Sequence, residues 1–238
     1  MPVVFEALNE FNNAIEEVNA LLKLAHAHTH LSYNAILKSA ILLLLAKVET
    51  FLEDILEEYI KKINDLKLGK EIPSELTVPH LVYKIRQTKQ ITEQLDGSIK
   101  KTGTNKDKHD SMVHLFNSLS ELLRDNIINI DSLKIPISFD YGEHGASAIK
   151  KLFVLIGIDN VFDMLNMMSV NISSINIKEQ INTLIYRRNA IIHRDEAFDD
   201  LNLKIVDDYV SIMRLFANEI TELLTIWLVY IYSKRKVI

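Results

Sequence analysis

Residues 203–234, LKIVDDYVSIMRLFANEITELLTIWLVYIYSK, set Val206, Tyr209, Met213, Phe216, Ile220, Leu223, Trp227 and Tyr230 at alternating steps of three and four. Side chains at that spacing share one face of an α-helix, so the stretch predicts a long helix packed along its length against neighbours. The same signal runs outward from it. Neither Gly nor Pro occurs between residues 3 and 68 or after Gly157, which leaves two long blocks without a breaker. In the first block Leu8, Phe11, Ile15, Val18, Leu22 and Ala25 form one apolar stripe. HAHTHLS (26–32) interrupts it. A second helix is expected from about 33 to 65, with Leu37, Ile41, Leu44, Val48, Phe51 and Ile55 as its stripe. Its first half is apolar all round and predicts the most buried helix. Its second half, with Glu53, Asp54, Glu57 and Glu58, predicts a solvated surface.

Shorter helices are expected over about 79–95, 111–126, 146–156, 160–166 and 175–194, with loops at about 66–78, 97–110 and 131–145. The stretch 97–108 is lysine-rich and lacks apolar periodicity, which suits a surface loop that could guide a polyanion. The predicted fold is all-α: a single domain over 1–238, a helical bundle with long antiparallel helices.

Composition narrows the function. With 48% hydrophobic and 25% charged residues, the 238-residue chain has enough apolar material for a core. It lacks cysteine, which removes disulfides, thiolate metal sites and cysteine nucleophiles. A formal charge of −5 means that no global basic field draws nucleic acid, so any such role needs a local site. The first residues lack the basic start and apolar centre of a signal peptide. Residues 40–46 and 223–232, the longest apolar runs, fall short of the ~20 residues that span a bilayer. A soluble, cytoplasmic protein without membrane contact is expected.

No glycine-rich phosphate loop, nucleophile elbow, HExxH or calcium loop is present. His26, His28 and His30 alternate in a row. On a helix His26 and His30 would share a face and could hold a metal, but without a nearby acid they read as a polar helix end, and no metal or cofactor is expected. The stronger feature is RRNAIIHRD, residues 187–195. Arg187, Arg188, His193 and Arg194 gather positive charge on an acidic chain, over a buried face of Ile181, Leu184, Ile185 and Ile192. Asn189 and His193 are one turn apart, which lets the amide fix the imidazole tautomer. A plain reading also exists: a charged helix end whose cations complement the C-terminal dipole.

Arg188-Asn189-x-x-x-His193 resembles the R-x(4–6)-H motif of the HEPN superfamily, in which a polar residue often follows the arginine. ILLLLAKVETFLEDIL (41–56) resembles the long helix with an internal glutamate, here Glu49, near the start of such domains. FDYGEHGASAIKKLF (139–153) looks like the approach to the motif-bearing helix. Together with the long closing helix, the chain is most similar to the RiboL-PSP-HEPN branch of prokaryotic nucleases. One departure is Arg194, where many relatives carry a small residue. The resemblance implies a metal-independent endoribonuclease, a toxin or defence effector with an antitoxin or defence-system partner. Arg188, His193 and Asn189 would be catalytic, and Arg187 and Arg194 would bind RNA. Glu49, on a densely apolar helix where an unpaired carboxylate is costly, is expected to support them beside the motif helix, with a motif arginine as partner; the alternative is that it begins the acidic, solvated half of its helix. The resemblance also implies a homodimer with a composite site. The alternative is a non-catalytic HEPN-like nucleotide-binding or adaptor module.

Overall fold

The computed structural model describes residues 4–27, 31–67, 72, 76–83, 109–110, 113–114, 117, 133–139, 144–168, 175–194 and 198–234. Six helices dominate: α1 (Glu6–His26), α2 (Leu31–Asp65), α3 (Ala146–Leu155), α4 (Val161–Met168), α5 (Ile177–Arg194) and α6 (Leu203–Lys234). The fold is all-α, and no strand occurs among the described residues. Residues 76–83 are also helical, so the helix expected from Pro79 already includes Leu76. The helix expected over 111–126 and the lysine-rich stretch 97–108 lie outside the described residues, apart from a few helical positions in the former.

Helix ends follow from local chemistry. Asn176, at a left-handed φ of 46°, starts α5: its Nδ2 donates to Glu179 Oε2 at 2.8 Å, and its carbonyl accepts the N–H of Glu179 and Gln180. Asn202 caps α6, its Oδ1 accepting the Ile205 N–H at 3.1 Å. α1 has no side-chain cap of its own. Glu58 of α2 supplies one instead, its two carboxylate oxygens accepting the N–H groups of Glu6 and Ala7, each at 3.1 Å. Glu53 likewise accepts the Phe139 N–H at 2.8 Å. The acidic half of α2 is therefore only partly solvated. Asp54 and Glu57 are exposed, whereas Glu53 and Glu58 are half-buried acceptors for distant backbone.

Contacts gather into two compact units. The larger holds residues 1–59, 137–154 and 158–230. Its core takes Phe11, Ile15 and Val18 from α1, Leu37, Leu44 and Phe51 from α2, Phe153 from α3, Leu165 from α4, Leu184 from α5 and Phe216 from α6. Phe11 and Phe51 meet at 4.9 Å between centroids. Within α2, Leu42 and Leu43 are half-buried and Ala46 is exposed, so the first half is not enclosed all round. The smaller unit, residues 60–136, 155–157 and 231–238, buries Ile63, Leu76 and Leu133. There Asn64 satisfies both backbone groups of Leu133, and His80 Nδ1 accepts the Lys134 N–H at 2.9 Å.

The α6 seam shifts along its length. Val206 through Leu223 are buried as spaced, but Trp227 is half-buried and Tyr230 is 46% exposed. Leu224, Leu228 and Ile231 take the buried positions instead. A strict 3-4 alternation has a period of 3.5, and a straight helix of 3.6 residues per turn drifts away from it by about 20° per heptad.

Candidate active site

α5 carries the basic cluster on a helix fixed from below by Ile177, Ile181, Leu184, Ala190 and Ile191, all buried. The stripe passes through Arg187, not through Ile185 or Ile192 as the sequence suggests; Ile185 is half-buried and Ile192 is 49% exposed. Arg187 is 9% exposed. Its guanidinium forks onto Asp200, with Nη1 donating to Oδ1 at 3.0 Å and Nη2 donating to Oδ2. Its Nε donates to the Tyr209 hydroxyl at 3.1 Å, and the group lies 4.8 Å from the Phe198 ring centre. These bonds raise the Arg187 pKa against the opposing effect of burial, and they hold the Asp200 carboxyl below its ordinary range. Arg187, expected to bind RNA, has its Nε, Nη1 and Nη2 in these bonds. Its donors are committed to holding the 198–200 turn and α6 against α5, because a charge at a core position must be paired there.

The next residue behaves differently. Arg188 is half-exposed, and its Nη1 donates to the Asn189 side-chain oxygen at 3.0 Å. Asn189 therefore steadies the arginine; the expected bond from Asn189 to His193 is absent among the described residues. His193 and Arg194, in the last turn, are exposed, and neither has an ion-pair or hydrogen-bond partner among the described residues. Tyr186, 57% exposed, stands edge-on to Phe198 on the outer side of the helix.

Glu49 lies in one narrow cleft with Phe139, Gly145, Ile181 and Ile185, which sets it beside the N-terminal half of α5. Its partner is not the expected arginine but His144, whose Nδ1 is 2.7 Å from Glu49 Oε1. Gly145 follows at φ +88°, a left-handed conformation, and a Cβ there would stand 3.2 Å from Asn182 Oδ1 of α5. The same oxygen accepts the Ala146 N–H at 3.1 Å, so α5 caps the start of α3. Sequence reasoning missed this contact of His144 with Glu49. The available signal was a histidine beside a glycine, HG, at the boundary of a helix whose neighbour carries an isolated glutamate.

No group of three or more His, Cys, Asp or Glu side chains is placed to hold a metal among the described residues. His26 ends α1, whereas His28 and His30 lie outside the described residues. A broad groove of about 560 Å³ runs past Lys23, His26, Lys204 and Asp207, but none of the motif residues lines it. No described helix is long and apolar enough to cross a membrane.

The family model described as RiboL-PSP-HEPN, a member of the HEPN superfamily, matches residues 9–225. No curated protein and no solved structure matches the chain.

Proposed function

We propose, from the premise that this chain belongs to the RiboL-PSP-HEPN family, that it is an endoribonuclease acting through Arg188 and His193 without metal or cofactor. The observation that carries this reading is the contrast between adjacent arginines. Arg187 is buried and fully engaged, while Arg188, Asn189 and His193 stand at the surface of a helix anchored beneath them.

The chemistry is cleavage of RNA by its own 2′-hydroxyl. The 2′-oxygen attacks phosphorus and its proton passes to an imidazole. The bond to the 5′-oxygen breaks, and that oxygen takes a proton from a second donor, leaving a 2′,3′-cyclic phosphate and a 5′-hydroxyl end. An imidazole with an ordinary pKa of about 6.5 suits proton transfer near neutral pH. Arginine keeps its charge and offers a planar fork to the phosphorane oxygens. Asn189 holds Arg188 in place, and Arg194 extends the basic surface for the strand. The second proton-transfer group would come from a second copy of the chain in a two-fold dimer.

Purified protein incubated with tRNA and total RNA should yield fragments with 5′-hydroxyl ends, equally with and without EDTA. His193→Ala should lower the rate by about 10²–10⁴-fold, the usual worth of a proton-transfer group. Arg188→Ala should be similarly damaging. A rate that depends on added Mg²⁺ or Mn²⁺ would overturn the mechanism. The biological role that fits is a toxin or defence effector held by an antitoxin, with growth arrest on induction that His193→Ala relieves. The second reading, a nucleotide-binding or adaptor module, draws on the exposed Tyr186 and Ile192 flanking the charges. Tight RNA binding without any cleavage would select it.

A further inference from the structure

The outward face of α5 carries a row of its own. Asn182, Tyr186, Asn189 and His193 follow at steps of four, three and four, opposite the buried row through Ile181, Leu184 and Ile191. At about 100° per residue, Tyr186 and His193 come to within about 20° of each other around the axis. About 10 Å of axis separates them, with Asn189 in between. Asn182, Tyr186 and His193 are exposed, and Asn189 is half-buried. A large aromatic ring thus stands at the surface in line with the motif imidazole, 57% exposed.

That ring is held in place. Tyr186 meets Phe198 in a T-shaped contact, with centroids 6.4 Å apart and planes at 65°. Phe198 in turn lies 4.8 Å from the Arg187 guanidinium, which Asp200 and Tyr209 fix by hydrogen bonds. A T-shaped contact engages at most one face of the Tyr186 ring and leaves the other to a ligand. Because Phe198 already orders the side chain, less rotamer freedom remains to be lost on binding. The reaction has a use for such a surface. Attack by the 2′-oxygen opposite the departing 5′-oxygen requires the strand to leave its regular stacked form at the cleaved bond. A base that loses its stacking neighbour there regains one on an aromatic ring.

We infer, resting on the endoribonuclease reading, that Tyr186 is the base-stacking platform of this site. An unstacked base, one or two nucleotides from the scissile phosphate, lies on its ring while His193 serves the cleaved bond. The substrate class that follows is single-stranded or looped RNA, whose bases can splay out, in preference to duplex. Every base has a π face, so the ring selects strandedness more than sequence. The placement suits a composite site. In a two-fold dimer joined through α5, the face that turns His193 toward the partner turns Tyr186 with it, and the ring walls the cleft, closed over by base and partner together.

The test uses the whole protein and short RNAs cut at one mapped bond, with an abasic residue placed in turn at the two positions on either side of that bond. One of those positions should cost wild-type protein about 5–150-fold in kcat/KM, the usual worth of a base on an aromatic ring. Tyr186→Leu keeps an apolar contact for Phe198 and removes the π face. On intact RNA it should lose the same factor, mostly in KM, because a stack is made in the bound substrate as well as in the transition state. On RNA that is abasic at the sensitive position, Tyr186→Leu and wild type should cut alike. Tyr186→Trp, which keeps a π face, should retain the wild-type rate on intact RNA. Full activity of Tyr186→Leu on intact RNA would overturn the inference, and so would a loss of equal size on every abasic RNA. In both cases an inactive His193→Ala leaves the ribonuclease reading standing. Wild-type protein that cleaves no RNA would overturn that reading and this inference with it.

Discussion

Arg187 and Arg188 differ by about 100° of rotation on one helix, and that angle decides what each does. Arg187 falls between Leu184 and Ile191 in the buried stripe, where its charge is tolerable only because Asp200 and Tyr209 receive its donors. Arg187→Ala should therefore weaken the fold, in contrast to a surface arginine: about 1–3 kcal/mol, read from the urea midpoint, with Asp200 being more than half exposed keeping the figure low. Lysine should not rescue it, since a point charge cannot reproduce the fork. The pair also gives a pH dependence of known sign. The Asp200 carboxyl titrates below its unfolded value because Arg187 hydrogen-bonds its charged form. Its contribution is complete above the unfolded pKa of about 4 and disappears as pH falls through the lower folded value. Unfolding midpoints at about pH 6 and about pH 3 should differ less in Arg187→Ala than in wild type. This residue was hard to read from sequence. An arginine in a run of charges looks exposed, and only its place in the 3-4 stripe, with an aspartate thirteen residues on, marks it otherwise.

The helices themselves were largely legible, because apolar spacing and Asn caps are local. α6 begins at Leu203 behind Asn202, and α5 ends at Arg194, as the spacing requires. What could not be read was the use that one element makes of another. Glu58 looks like a solvated surface residue, yet it closes the start of α1, 52 positions away in sequence. Glu49 meets His144 across 95 positions. No periodicity encodes such pairings, since a helix pattern says which face is buried and not which exposed acid finds a distant N–H. The α1 cap is open to measurement. Glu58→Ala leaves two N–H groups without their acceptor and should destabilise the protein by about 1 kcal/mol. Hydrogen exchange at Glu6 and Ala7 should accelerate, with amides in the middle of α6 unaffected. Glu58→Gln, which keeps one acceptor oxygen, should fall between.

At the scale of the whole molecule, a net charge of −5 repels RNA in general, so the proposed cleavage would need the few cations gathered at the end of α5. Whether those cations act within one chain or across two decides how activity responds to assembly. A two-fold dimer joined through α5 would cover Tyr186 and Ile192, which a lone chain leaves 57% and 49% exposed. In a composite site each cleavage needs His193 from both copies. A wild-type chain paired with a His193→Ala chain would then be inactive. Wild-type protein equilibrated with a tenfold excess of His193→Ala should consequently lose about nine-tenths of its rate per wild-type chain, because nearly every wild-type chain would have an inactive partner. Subunit exchange must be complete for the comparison to hold, which native mass spectrometry of isotope-labelled and unlabelled chains would establish. A rate per wild-type chain that stays full at that excess would mean that one chain holds a complete site and would overturn the composite arrangement.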